Sequence, residues 1–473
     1  MEKKISAAFV DLSIDFLDRH SIYSLSAVLK QNAVDTHYLN GTNPAKLINQ
    51  LEALRPDLVM YSAVGVEIPK FIRFDSLLKT RLGVKSIIGG SGPTLDPGQL
   101  KNSTIDAICV GEGETAIIDY VAGGFKHGKN IIGPGQAVPR SLYPFVELDS
   151  LPFSDRELVY RHDDLKRNMP SKQFLAGRGC PYLCTYCCNG SYQKILAGCG
   201  KYLRQKSVDY LISEIKAVKS RYPLKHVVFQ DDIFILNRKW LELFSGRFAG
   251  EIGLTFSCNV RANLVDEDIV RILKAGNCVS VTYSIESGDD YLRKEVLGRN
   301  ITREQILSTG VLFRKYRINR RTGNMLGLPG ETYEQMLKTL ELNIEAKPTF
   351  GHTTTFTPFH GLPLTDYALS IGALSRDAMN NIPRSLFNKT ILNYSGRDRE
   401  RIFRLMRLFP IFVKWPVLYR EPILKKLLFS LPGPLLSVLH HALFTYLSSR
   451  IFQVKVPWSV KFRILCRYLK SYV

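Results

Sequence analysis

The sequence predicts an α/β chain built from a doubly wound parallel sheet, an incomplete barrel of six β/α units and a mostly helical, basic C-terminal region. Three observations predict it. Short apolar runs alternate with helical patterns over residues 1–125, six strand-and-helix repeats follow over 171–365, and basic residues crowd the end of the chain. At 473 residues the chain is too long for one ordinary core.

In the first domain, residues 1–125, buried strands are expected at Ile5–Val10, Leu58–Ser62, Ser86–Gly90 and Ala107–Gly111. Helices are expected at Ser21–Gln31, Pro44–Leu54 and Pro69–Leu82. Alternation at this spacing implies a parallel sheet that takes ligands at the carboxyl ends of its strands. Glycines fall at those ends, in Gly89-Gly90-Ser91-Gly92-Pro93-Thr94 and Gly111-Glu112-Gly113-Glu114, where backbone could approach a large ligand. Residues 126–170, punctuated by Gly133-Pro134-Gly135, Pro139, Pro144 and Pro152, read as a linker.

The second unit, residues 171–365, opens with a strand at Phe174–Ala176 and continues with strands at His226–Gln230, Leu254–Asn259, Val279–Ile285, Thr322–Leu328 and His352–Pro358. Amphipathic helices such as Ser207–Ser220 and Asp266–Ala275 separate them. Polar residues at the C-terminal ends of barrel strands are the expected place of chemistry: Asp231-Asp232, Arg261, Ser284 and Glu286. The first strand delivers Cys180, Cys184 and Cys187 in a C-x3-C-x2-C loop. Three thiolates can hold a [4Fe–4S] cluster and leave one iron open; the spacing alone also admits a zinc loop or three buried thiols.

Nine cysteines, an odd count, fit a reducing compartment better than a disulfide framework. No signal peptide is visible, so a cytoplasmic location is expected. From Arg397 onward fifteen Lys or Arg stand against three acids, Asp398, Glu400 and Glu421, within a chain of net charge +21. Leu427–Ser449 holds no charged residue but is split by Pro432-Gly433-Pro434. Basic residues (Arg401, Arg404, Arg407, Lys425, Lys426, Lys461, Arg463, Arg467, Lys470) and Trp415, Tyr419, Tyr446 and Trp458 flank or interleave it. Two readings stay open for residues 366–473: a helical cap on the barrel, or peripheral contact with the inner face of a membrane through 397–473. Nucleic acid is not expected, because long apolar runs interrupt the basic residues.

With Tyr186 before the last cysteine, the loop resembles that of the radical S-adenosylmethionine (SAM) superfamily. Phe229-Gln230-Asp231-Asp232-Ile233-Phe234, Ile285-Glu286-Ser287-Gly288 with Arg299-Asn300, and Gly327-Leu328-Pro329-Gly330-Glu331-Thr332 resemble its later motifs in order. The glycine turns resemble the flavodoxin-like, cobalamin-binding domain that precedes the core in one subfamily with class B methyltransferase-like members, and Leu148–Arg156 resembles its linker. The resemblance implies cluster ligation by Cys180, Cys184 and Cys187. It implies SAM binding by Tyr186, Asp231, Asp232, Arg261, Ser284, Glu286 and Met325, and cobalamin binding by Ser62, Gly89, Gly90, Thr94, Gly111 and Glu112. The subfamily's lower-ligand signature Asp-x-His-x-x-Gly is broken in Asp18-Arg19-His20-Ser21-Ile22-Tyr23.

The implied activity is cleavage of SAM to a 5′-deoxyadenosyl radical that activates a C–H bond, for methyl transfer or for cyclisation or rearrangement. The implied partners are a lipid-like or other small-molecule substrate and an electron donor such as flavodoxin or ferredoxin. The alternatives are an empty cobalamin domain, or a non-catalytic cluster- or cobalamin-responsive protein at a membrane. With Cys109 alone in the first domain and Cys466 alone in the last region, neither can hold a further three-cysteine cluster.

Overall fold

The computed structural model describes residues 4–13, 18–383 and 389–452, with the isolated positions 460 and 463. Trp458, Lys461, Cys466, Arg467 and Lys470 lie outside the described residues.

The first sheet contains β1 (Ser6–Asp11), β2 (Asp35–Asn40), β3 (Leu58–Ser62), β4 (Lys85–Gly89), β5 (Ala107–Cys109) and β6 (Ile131–Ile132), in the order β2-β1-β3-β4-β5-β6. All pairs are parallel except β5 with β6. Alternate residues of each strand serve opposite faces. Ala7, Phe9, Leu58 and Met60 pack against helices His20–Gln31 and Glu114–Ala122, while Ala8, Val10, Val59 and Tyr61 pack against Pro44–Leu54 and Ile68–Lys79. Strand order reverses between β1 and β3, which makes the glycine turns after β3, β4 and β5 the expected ligand end. The sequence expectation lacked β2, because Asp35-Thr36-His37-Tyr38-Leu39-Asn40 is an edge strand of half-exposed polar residues.

The barrel begins with β7 (Ser171–Phe174), followed by a small antiparallel pair, β8 (Gly177–Arg178) with β9 (Arg204–Gln205). It continues through β10 (His226–Phe229), β11 (Thr255–Asn259), β12 (Cys278–Glu286), β13 (Asn319–Leu326) and β14 (Phe350–Thr355). The sheet runs β14-β13-β12-β11-β10-β7, parallel throughout. The expected strand at Phe174–Ala176 is corrected to Ser171–Phe174. Its polar start is buried because the Lys172 ammonium donates to the carbonyls of Lys166, Arg167 and Met169, satisfying the end of a short preceding helix. Helix Val208–Arg221 is capped by Ser207, which accepts from the Tyr210 amide at 3.1 Å, and buries Leu211, Ile212, Ile215 and Val218 as its periodicity predicts.

The C-terminal region is helical, with segments Gly396–Lys414, Pro422–Ser430 and Gly433–Phe452. Ile402, Leu405, Met406, Phe409 and Phe412 of the first and Leu436, Leu443 and Leu447 of the last join Leu326 and Phe350 in one apolar cluster. Gly351 lets the first helix close on β14, since a Cβ there would come within 3.0 Å of Val413. The helices therefore do cap the edge of the barrel.

Candidate active site

The cysteine loop leaves β8 and turns back on itself through a hydrogen bond from the Cys187 amide to the Cys184 carbonyl. Cys180 and Cys184 are buried, Cys187 is half-buried, and all eight described cysteines are free thiols. Burial pushes the Cys180 thiol up to about 11. Hydrogen bonds, first from Cys188 and then from Asn189, lower the Cys187 thiol against the opposing effect of its burial. Among the described residues no three His, Cys, Asp or Glu side chains converge to hold a single metal ion. Donors to sulfur are in place: Arg261 Nη1 lies 3.7 Å from Cys184 Sγ and Asn189 Nδ2 3.5 Å from Cys187 Sγ. This soft, hydrogen-bonded donor set fits an iron–sulfur cluster.

Beside the loop stands a buried polar network. Tyr186 donates to Glu286 Oε1 at 3.0 Å, and Arg299 donates to the Tyr186 hydroxyl at 3.1 Å and to the Ser284 carbonyl at 2.6 Å. Glu286 follows an irregularity in the pairing of β12 with β13 and has a φ of +67°, a strained position for a residue with a side chain. Burial pushes its carboxyl up, against the pull of Arg299 and the Tyr186 bond. Met325, half-buried on β13, packs in the same apolar cluster as Tyr186. Arg261 stacks 3.7 Å over the Tyr182 ring, and its Nε donates to Asn263.

The two aspartates after β10 diverge. Asp231 accepts from the Ala176 amide at 2.9 Å and braces the end of β7; its burial pushes the carboxyl up to about 7. Asp232 is the exposed one and accepts from Asn189, the same side chain that reaches Cys187. Arg299, Asn189 and Tyr182 were not expected here as site residues. Arg299 was legible only as part of a motif, and the other two carry no spacing signal.

At the first domain, Gly90 has a φ of +106°, and a Cβ there would stand 2.6 Å from the Ala63 carbonyl. Thr94 Oγ1 accepts from the Gly111 amide at 3.0 Å and ties two of the turns together. Ser62 Oγ lies 3.0 Å from Ser21 Oγ, and Gly89 closes against Cys109. Small residues packed this closely leave backbone rather than side chains on the surface, which fits a large flat ligand such as a corrin. Glu112 is engaged otherwise: Arg178 (2.9 Å) and Arg204 (2.5 Å) hold its carboxylate, and Arg178 also holds Glu114 at 2.6 Å. These pairs join the first domain to the barrel.

Asp18 accepts from the hydroxyl of Tyr23, the residue standing where the signature requires glycine, and pairs with Arg156. His20 begins its helix with Nε2 buried and without a partner, and burial brings it down to about 4. It lines a small cavity walled by Leu148, Leu151 and Pro152 of the connector together with Arg156 and Glu214.

The two strand ends meet. Helix Cys188–Ile195, which follows the cysteine loop, packs on the turn Ser91–Leu95. Ser191 donates to the Gly361 carbonyl at 2.9 Å, and Gly361 lies so close to Leu95 that a Cβ would be 2.6 Å from its carbonyl. The cysteine loop thus sits beside the glycine turns.

With this geometry in hand, residues 174–342 match the radical SAM superfamily and residues 20–121 match a B12 binding domain. The chain thus carries a radical SAM domain preceded by a B12-binding domain. A [4Fe–4S] cluster and SAM are the cofactors of its core, and cobalamin is that of the domain ahead. It is 26% identical over 296 residues to an uncharacterized methyltransferase of Pyrococcus horikoshii, covering 60% of this chain and 63% of that protein. It is 21% identical over 429 residues to the anaerobic magnesium-protoporphyrin IX monomethyl ester cyclase of Cereibacter sphaeroides, covering 79% of this chain and 68% of that one. The chain thus spans less than two thirds of the length of the first relative. In fold it is similar to the cobalamin-dependent SAM radical enzyme OxsB with aqua-cobalamin and SAM bound (TM-score 0.67, 15% identity, 98% of this chain and 75% of that one). It is similar as well to the methyltransferase TsrM of Kitasatospora setae (TM-score 0.62, 14% identity, 78% and 76%).

Proposed function

We propose that this radical SAM protein is a cobalamin-dependent enzyme that activates a C–H bond, for methyl transfer first and for cyclisation or rearrangement second. The cluster with SAM supplies a carbon-centred radical, and cobalamin supplies the methyl group. The observation that carries the reading is the packing of helix Cys188–Ile195 on Ser91–Leu95, which leaves no domain-sized gap between the two cofactor regions. Cys180, Cys184 and Cys187 hold the cluster. Arg261, held by Tyr182, Asn263 and Cys184, is assigned to the SAM carboxylate and Asp232 to its ammonium, with Ser284, Glu286 and Met325 around ribose and adenine and Tyr186 ordering Glu286. Asp231 contributes by fixing the end of β7. Ser62, Gly89, Gly90, Thr94 and Gly111 face cobalamin, and Glu112 fixes the domain that carries them.

Domain limits at 1–125, 126–170, 171–365 and 366–473 suit this assignment. The substrate is a lipid-like or natural-product intermediate, the reductant a flavodoxin- or ferredoxin-type donor, and the location the cytoplasm with peripheral contact at the inner face of the membrane. A basic, apolar C-terminal region beside the barrel supports that choice.

Anaerobic reconstitution with iron, sulfide, hydroxocobalamin, SAM and a reductant tests the reading. Retained cobalamin with formation of 5′-deoxyadenosine or S-adenosylhomocysteine is expected. A loaded cluster that yields neither product sinks the enzyme. A chain that turns over SAM but never retains cobalamin has an empty first domain.

A further inference from the structure

The helix Gly433–Phe452 is apolar on both sides. Leu436, Leu443, Leu447 and Ile451 are buried against the barrel, whereas Leu435, Val438 (66% exposed), Leu439 and Tyr446 form a second face open to solvent. A helix apolar all round is normally covered all round. The preceding helix Pro422–Ser430 meets it at a bend of 109° and presents Ile423 (81% exposed) and Leu427 (59%). Trp415 and Val417 add to the same exposed set. Lys414, Arg420, Lys426 and Arg450 are exposed beside these residues, and Glu421, also exposed, is the one Asp or Glu in residues 414–473.

From this we infer that the bent helix pair Pro422–Phe452 is a monotopic docking surface for an anionic lipid bilayer. Its apolar faces enter the headgroup boundary while the surrounding cations meet lipid phosphates. Charge complementarity selects this occupant. A second copy would bring the same cations against themselves across a two-fold contact. No single described helix is long and apolar enough to cross a membrane, and the sharp bend suits a pair that lies in the surface. The purpose of docking rests on the lipid-like substrate proposed above, but docking itself is read without substrate.

The test is sedimentation of the full, cluster-loaded chain with phosphatidylcholine vesicles, with and without phosphatidylglycerol. We expect binding that requires phosphatidylglycerol, weakens with salt, and falls roughly fivefold for each of Lys414→Gln and Lys426→Gln. The double variant Ile423→Asp/Val438→Asp should lose vesicle binding while keeping its thermal midpoint and its SAM cleavage. A wild-type chain that stays in the supernatant with phosphatidylglycerol vesicles overturns the inference, as does a double variant that binds like wild type. Lipid-free self-association abolished by the same double variant gives the surface to a second copy instead. A chain that docks but cleaves no SAM leaves docking standing and removes only the proposed reaction.

Discussion

The hydroxyl of Tyr186 donates to Glu286 at 3.0 Å, so the residue before the last cysteine is fastened to the end of β12, a hundred positions along the chain. Arg299 completes the link from the other side. Tyr186→Phe leaves a buried carboxyl without its hydroxyl donor, a loss of about 1–3 kcal/mol. Arg299→Gln removes the charged donor to both the Tyr186 hydroxyl and the Ser284 carbonyl and should cost more, about 3–6 kcal/mol for two charge-assisted hydrogen bonds. Urea unfolding of the two variants checks the order, and SAM cleavage should fall in both because Glu286 loses its fixed position.

Arg261 tests the division between cluster and SAM. Its planar group stacks on Tyr182 while one nitrogen faces Cys184, a geometry that lysine cannot reproduce. Arg261→Lys should still take up iron and sulfide in full but bind SAM roughly tenfold more weakly, about 1.4 kcal/mol. Iron content and SAM titration, measured on the same sample, separate the two effects. Loss of the cluster itself would show that the arginine serves the cysteine loop instead.

The domain junction depends on Arg178, which spans Glu112 and Glu114. Glu114 is buried, and the cation keeps its carboxyl below the usual range despite that burial. Arg178→Met leaves Glu114 buried and unpaired, at a cost of about 3–5 kcal/mol. Limited proteolysis should then cut the connector between residues 126 and 170 far faster than in the wild type.

Gly90→Ala asks a side chain to adopt a φ of +106° with its Cβ 2.6 Å from a backbone oxygen. Nothing flexible can give way there. Destabilisation of about 2 kcal/mol or more is expected, from the strained backbone and the clash together. Thermal unfolding measures it. Cobalamin retention should drop in the same variant while the cluster still loads.

Glu331 supplies a pH signature. Its Oε2 accepts from the Leu328 amide at 2.9 Å, Oε1 is buried without a partner, and burial raises the carboxyl to about 8. The folded chain therefore holds a proton that the unfolded chain releases above the ordinary glutamate range. The contribution is fully present below about pH 4.5 and is lost as pH rises through about 8, at up to about 1.4 kcal/mol per pH unit. Glu331→Gln should lack this slope, so its stability relative to wild type rises between pH 5 and pH 8 in roughly that proportion. Parallel pH profiles for the two proteins would mean that Glu331 is ionised in the folded state.

Spacing alone locates the cysteine loop, the glycine turns and most strands, because period-two apolar runs and turn residues are local signals. It failed where burial is bought by contacts distant in sequence or by polar satisfaction. β2 and the Ser171-Lys172-Gln173 start of β7 lack the apolar pattern of a strand, yet pairing with β1 and the carbonyls around Lys172 make strands of them. The same limit applies to side-chain roles. Asp231 and Asp232 are adjacent and chemically identical, and only tertiary structure turned one toward the β7 backbone and left the other facing Asn189.

The sequence by itself determined the spacing of the three thiols, the six-unit barrel and the excess of cations in the last sixth of the chain. Tertiary structure decided that Glu112 belongs to a domain junction, that Arg299 completes the Tyr186–Glu286 network, and that the C-terminal helices cover the barrel edge while one apolar face stays exposed. The reason is physical. Residue type and period act within a few neighbours, whereas partner choice for a buried charge or an apolar face depends on which distant segment arrives opposite it.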